Sequence, residues 1–401
     1  MMKFLFQKKK ALRICFFILF WFFLTRIVLT LCGMSVLGQS GALLIENPDD
    51  PLYENVERGF LEDPYNLILT TWIHWDSKWY LKIAEDWYPA GSYGGGTSPV
   101  VFFPLYPLLI KIFSFLFWGN FKLSGLFISN ICLILSAYVL YKLVLMHWDS
   151  EKLARDVVVF LFLFPVSFFF SSILSESLFL LLTLLTFYFS KKTNWFYASL
   201  SGLFASLTRS TGWLLFIPIF FEYFKSKKFN FKKIDLKLGY LLLIPLGTLL
   251  YFSYLYFLTG DFLVWFKVEK MGWGIHFSFE HFLNFFKNGL FSGTLYPAFN
   301  VWFTFLALMI VILAYKEFAR CGLMSYFIFS LIFIVLPIFF VPDPMISRSL
   351  PRYSVVVFPL FIYFALLGKN SQLIDDALKL FFAILQFFLM GFWSLSLHFV
   401  V

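Results

Sequence analysis

The sequence predicts an all-α polytopic membrane protein, and three observations carry that prediction. Of 401 residues, 60% are hydrophobic and only 14% charged, whereas a soluble chain has about 45–50% and about 25%. Apolar runs of helical length recur along the chain, separated by short polar breaks. Lysine and arginine gather in alternate breaks, the bias expected of cytoplasmic loops. A cytosolic enzyme, a disordered chain and a disulfide scaffold are excluded by the same figures. Cys15, Cys32, Cys132 and Cys321 fall in or beside apolar runs, without metal or disulfide spacing, and read as packing. The net charge of +9 reads as basic loops against anionic lipid, with no nucleic-acid partner.

The elements follow in order. A basic head precedes an apolar run over 14–37. That run is longer than the ~7–15 residues of a signal-peptide core, so it is read as an uncleaved first span with a cytosolic N-terminus. Residues 38–122 form an outer loop with juxtamembrane helices. The apolar stretch 101–118 within it carries Pro104, Pro107 and Lys111. Were it to span, the run KSKKFNFKKIDLK would face outward, against the positive-inside bias, so it is placed along the outer interface. A helical bundle over 123–399 follows, with spans expected near 123–146, 156–171, 177–190, 194–208, 211–224, 238–258, 295–314, 322–341, 351–367 and 377–399. That makes about eleven transmembrane helices in one integral membrane domain, 1–401.

This topology collects the unusual polar residues at one face. Asp76 lies between Trp75 and Trp79. It reads either as an acid in an interfacial aromatic belt or as a general base whose proton affinity the flanking rings raise. Glu176, at the head of an apolar span, reads as a helix-terminal acid or as a group that orients an arginine or a sugar. Arg26 lies midway along the first span, Arg209 between spans, and Arg348 and Arg352 flank a Ser-Leu-Pro turn. Arginines there suit a lipid phosphate, which they grip in bidentate fashion; the alternative is snorkelling to the lipid surface. His74, His276 and His281 lack metal-ligand spacing, and Gly94, Gly95 and Gly96 read as a mobile loop tip.

The motifs HWDSKWYLKIAEDWY (74–88) and FFPLYPLL (102–109) together resemble the first lumenal loop of the PIG-V-like mannosyltransferases. Further similar blocks are FPVSFFFSSILSESLFLLL (164–182), ASLTRSTG (205–212), GDFLVWFKVEKMGWG (260–274) and LPRYSVVVFPLF (350–361). The resemblance covers most of residues 70–361. Its eukaryotic namesake adds the second mannose in GPI-anchor assembly. The resemblance implies a GT-C-like fold and transfer of a sugar, mannose, from a polyprenyl- or dolichyl-phosphate donor to a glycan or glycolipid hydroxyl at the outer or lumenal face. Asp76 matches the family's Trp-Asp acid and is the expected catalytic residue. Arg209, which matches the family's Thr/Ser-Arg turn, is expected with Arg352 and Arg26 to hold the donor phosphate. Glu176, His74, Trp75 and Asp261 are expected to orient substrate. His74 stands where the family often carries arginine.

The expected reaction is a single inverting displacement with no cofactor and no metal, arginine charge taking a metal's place. Bulk phenylalanine (60 residues) reads mostly as lipid-facing surface. The expected site of action is the plasma membrane in a prokaryotic host and the endoplasmic reticulum in a eukaryotic one. The rival readings are a flippase or transporter for a lipid-linked sugar and a non-catalytic membrane scaffold. A transporter calls for midplane charges and inverted repeats, which the sequence does not display.

Overall fold

A computed structural model of the chain describes residues 2–40, 64–91, 96–289, 295–340 and 349–396. Gly94, Gly95, Arg348 and most of the polar part of the first loop lie outside the described residues. Among the described residues every regular element is helical. The principal helices are α1 (Met2–Ser40), α2 (Pro64–Trp72), α3 (Ser77–Asp86), α4 (Leu105–Phe113), α5 (Phe121–Trp148), α6 (Glu151–Leu163), α7 (Glu176–Lys191), α8 (Trp195–Ser206) and α9 (Phe216–Ser226). They continue as α10 (Leu243–Thr259), α11 (Val264–Val268), α12 (Phe279–Asn284), α13 (Leu295–Arg320), α14 (Met324–Val335), α15 (Leu350–Ser354), α16 (Pro359–Gly368) and α17 (Gln372–Ser394).

Helix starts are marked by side chains that accept otherwise orphaned amides. Asn120 accepts from Leu123, Ser150 from Leu153 and Ser371 from Ile374, opening α5, α6 and α17. Among the described residues, four helical stretches are long and apolar enough to cross a membrane: Lys9–Gly38, Phe121–Trp148, Leu236–Thr259 and Ala298–Arg320. The stretch Leu105–Phe117 is helical but only 13 residues long, roughly 20 Å at helical rise, short of the ~30 Å hydrocarbon layer.

Several expected spans are interrupted. The run 156–171 is helical only to Leu163; Phe164 turns to an extended ψ of 133° because Pro165 disfavours helix at the residue before it. The chain then runs irregularly to Ser175, apart from one 3-10 turn at Ser167–Phe170, and this segment is buried. Irregular buried backbone needs imported donors, and Arg26 and Gln386 supply them. Arg26 Nη1 donates to the Ser167 carbonyl (3.0 Å) and Ser171 Oγ (3.1 Å), and its Nη2 donates to the Phe162 carbonyl (3.2 Å) and Ser167 Oγ (2.9 Å). Gln386 Nε2 donates to the carbonyls of Phe162 (2.9 Å) and Phe164 (3.1 Å). The expected span 351–367 is likewise split, α15 ending before Pro359 opens α16.

A contiguous apolar core runs from Ile14 to Trp393. In it α5 packs on α7, α7 on α8 and α8 on α10. The last pair can close because Gly247 has no side chain: a Cβ there would sit 2.4 Å from the Leu203 carbonyl oxygen. The C-terminal α17 lies along α1, and Trp393 Nε1 reaches the Thr71 carbonyl at 3.1 Å. That closure seats α2, and the turn after it, over the irregular segment 164–175; the Ile173 amide also reaches the Trp72 carbonyl at 3.4 Å.

Replacing Arg26 by Gln removes most of these donors. The expected loss is about 2–4 kcal/mol, read as an earlier unfolding midpoint in detergent. An unchanged midpoint would mean that the carbonyls find other partners.

Candidate active site

Asp76 owes its place to a strained turn. Between α2 and α3 the chain reverses through Trp75, whose φ is +54°, a region costly for a bulky side chain. The turn is closed by the Ser77 amide donating to the His74 carbonyl at 3.1 Å. Asp76 thereby stands at the N-cap of α3, yet its carboxylate caps no amide of that helix. It is drawn aside by a guanidinium: Arg352 Nη1 donates to Asp76 Oδ2 at 2.5 Å. The Asp76 side chain keeps 28% exposure, so one face stays open to a ligand.

Arg352, on the short helix α15, is buried and holds a second carboxylate. Its Nε donates to Glu176 Oε1. Glu176 opens α7 with no solvent exposure, and Arg209 Nη1 stands 2.6 Å from the same oxygen, without hydrogen-bond alignment. The four side chains form one chain, Asp76–Arg352–Glu176–Arg209, across α3, α15, α7 and the turn after α8. Burying charge is tolerable only where each charge is paired, and the chain is neutral overall.

Arg209 is the least engaged member. Its guanidinium makes the Glu176 ion pair and lies 6.0 Å over the Tyr353 ring. It also lines a crevice completed by Thr211 and by apolar side chains that include Leu214, Phe333, Leu336 and Tyr353. The crevice is narrow, with a cavity volume of about 20 Å³. A cation at the head of an apolar crevice fits an anionic group on an apolar tail. The turn that carries Arg209 needs glycine at position 212: a Cβ there would lie 2.4 Å from the Ala205 carbonyl oxygen.

The structure does not bring the other expected site residues into this chain. Arg26 binds backbone and hydroxyls of the 162–171 region. His74 is buried, with Nδ1 3.0 Å from Ser396 Oγ and its ring edge-on to Trp393. Burial pulls its pKa down to about 3, which keeps the imidazole neutral. Trp75 supplies the turn rather than a charge. Asp261 sits in a local loop, accepting from the Leu263 amide at 3.0 Å and pairing with Lys267 at 2.6 Å. Among the described residues, no group of three or more His, Cys, Asp or Glu is placed to hold a metal.

Three neighbours are added that residue type alone does not single out. Tyr80, one turn into α3, donates to Ser175 Oγ at 2.9 Å. Burial first, and Glu176 second, push its phenol up to about 12, so it remains a donor. Tyr353 lies in electrostatic range of Asp76, Arg209, Glu269 and Arg352. Glu269 follows α11, in the 260–274 block; a half-buried aromatic cluster of Trp79, Phe102 and Trp273 lays that block against α3. The usable signal was an acid inside a motif block otherwise rich in aromatics.

Because each buried charge here is neutralised by its neighbours, breaking one pair strands the other. Glu176→Gln is expected to cost about 3–5 kcal/mol. The double variant Glu176→Gln/Arg352→Met should cost less than the sum of its single changes. Unfolding in detergent checks both; strict additivity would mean that the two groups are not coupled.

Residues 10–225 match the family model described as Mannosyltransferase (PIG-V). No curated protein matches the chain at a significant level. The family match spans more than half of the sequence and takes in Asp76, Glu176 and Arg209. The chain belongs to the PIG-V mannosyltransferase family, and it is an integral-membrane glycosyltransferase.

Proposed function

We propose that the protein transfers mannose from a polyprenyl-phosphate donor to an acceptor hydroxyl, with Asp76 as the general base. The observation that carries this reading is the half-engaged Arg209 guanidinium in the lining of a mostly apolar crevice, joined through Glu176 and Arg352 to Asp76. Arg209 suits the donor phosphate, and the apolar wall beside it suits the start of the isoprenoid chain. About eleven membrane passages in a GT-C arrangement, with the Asp76 end outside, would set this site at the outer leaflet.

In the proposed step the acceptor oxygen attacks the anomeric carbon from the side opposite the lipid phosphate. The acceptor O–H proton passes to Asp76 as the new C–O bond forms. The bond between the anomeric carbon and the phosphate oxygen breaks, and its electron pair leaves with the phosphate. Arg209 faces the departing charge directly, the kind of placed electrostatic aid that lowers such barriers most. Arg352, held between two carboxylates, serves chiefly to aim Asp76 and Glu176. Arg26 takes a structural part in this reading.

Two variants test it with purified protein and labelled polyprenyl-phosphate mannose. Asp76→Asn keeps the size of the side chain and is expected to lower kcat by ~10²–10⁴-fold with the protein still inserted and folded. Wild-type turnover by that variant would remove Asp76 from the chemistry. Arg209→Lys keeps the charge but loses the fork, and is expected to raise donor KM about tenfold, or ~1.4 kcal/mol. Unchanged donor KM would make Arg209 a structural residue of its turn.

A further inference from the structure

Glu269 differs from the other two carboxylates at this site in having no cation. Asp76 is held by Arg352, and Glu176 lies between Arg352 and Arg209. Glu269 is half-buried, and although its backbone carbonyl accepts from the Ile275 amide, its carboxyl group has no hydrogen-bond or ion-pair partner among the described residues. It begins a π-helical turn, Glu269–Trp273, a rare geometry that gathers at functional sites. One π-turn on, Trp273 lies 6.0 Å from Trp79, itself three residues beyond Asp76 on α3. The same turn also presses on the loop beyond α3 at Gly272, where a Cβ would fall 2.6 Å from the Gly96 carbonyl oxygen. This packing lays the Glu269 turn against α3 and brings its carboxyl group within electrostatic range of Asp76.

We propose that Glu269 is a second active-site carboxyl group, one that donates a hydrogen bond to a substrate oxygen placed between it and Asp76 while Asp76 takes the acceptor proton. The inference rests on the glycosyl-transfer reading above and adds to it a residue that orients substrate.

The electrostatics agree with the geometry. Burial first, and the Asp76 charge second, raise the Glu269 pKa to about 8. Two facing carboxylates do not both ionise readily, so one remains an acid. Arg352 pairs with Asp76 and no cation pairs with the Glu269 carboxyl group among the described residues, so the proton stays with Glu269. Asp76 at the head of α3 is the charged group that acts on Glu269, Tyr353 on α15 lies in its electrostatic range, and Lys267 and Lys270 are on its own segment. Lys267 is bound to Asp261 and Lys270 is exposed. The sign follows: below about pH 8 Glu269 is neutral and can donate; above it, a second anion repels Asp76 and the donor is lost.

The experiment measures kcat/KM for mannose transfer from about pH 6 to about pH 10, bracketing that titration. Wild type should lose activity above about pH 8. Glu269→Gln, which keeps a donor and cannot ionise, should retain activity within about threefold at neutral pH and lose the alkaline fall. Glu269→Ala should drop about tenfold or more, with its unfolding midpoint checked in detergent. The proposal is overturned if Glu269→Gln keeps the alkaline fall, if it is as inactive as Asp76→Asn, or if folded Glu269→Ala is fully active. Infrared difference spectra between neutral and alkaline pH give a readout independent of turnover. A protonated-carboxyl band that titrates in wild type and vanishes in Glu269→Gln supports the pair; a wild type without the band overturns it. Such a band in a protein that transfers no lipid-linked mannose would sink the glycosyl-transfer reading while the carboxyl pair stands.

Discussion

One guanidinium organises the chemical end of this protein. Arg352 touches Asp76 and Glu176 at once, and so ties three segments that are far apart along the chain. Two of them are helix starts, α3 and α7, and the third is the short helix α15. In a low-dielectric interior an arginine without a counter-charge is costly. The surrounding fold must therefore deliver both carboxylates to within a few ångströms, or bury none of them. The geometry of Asp76 is then a consequence of packing over the whole bundle rather than of its own loop.

The irregular segment 164–175 makes this arrangement possible. It ends α6 at Pro165 and starts α7 at Glu176, so that a carboxylate emerges at a helix N-terminus inside the bundle. Non-helical backbone at such depth persists only where the protein satisfies it. Arg26 and Gln386 do so from α1 and α17. The bundle thus contains two buried arginine systems of different kinds. One is neutralised by carbonyl dipoles and hydroxyls and shapes the backbone. The other is neutralised by carboxylates and leaves Arg209 facing a crevice.

A gradient of commitment runs along the ionic chain. Glu176 is wholly enclosed, Arg352 nearly so, while Arg209 and Asp76 keep 15% and 28% side-chain exposure. The enclosed pair supplies rigidity and the open ends stay accessible, the division of labour that the proposed transfer site requires. Strain at Trp75 fits the same pattern, since a left-handed tryptophan persists only where its surroundings over-determine it.

Composition and periodicity alone settled that the chain is helical and membrane-embedded, because lipid admits no other arrangement of such apolar runs. Local motifs marked Asp76, Glu176, Arg209 and Arg352, since each is a charge in an otherwise apolar or aromatic setting. Only the tertiary structure decided which of these charges meet. Positions 176, 209 and 352 have no shared periodicity, and pairing between distant helices leaves no trace in spacing. For the same reason Arg26 reads like a phosphate ligand in sequence, although its surroundings in the fold are carbonyls. Glu269 lies beside two lysines in Lys267–Lys270 and reads as an ordinary solvated acid; the packing of Trp273 on Trp79 lays its turn against α3, where it falls within electrostatic range of Asp76. A residue's type is written in the chain, but its electrostatic partner is chosen by packing, because the field of a charge depends on distance through space.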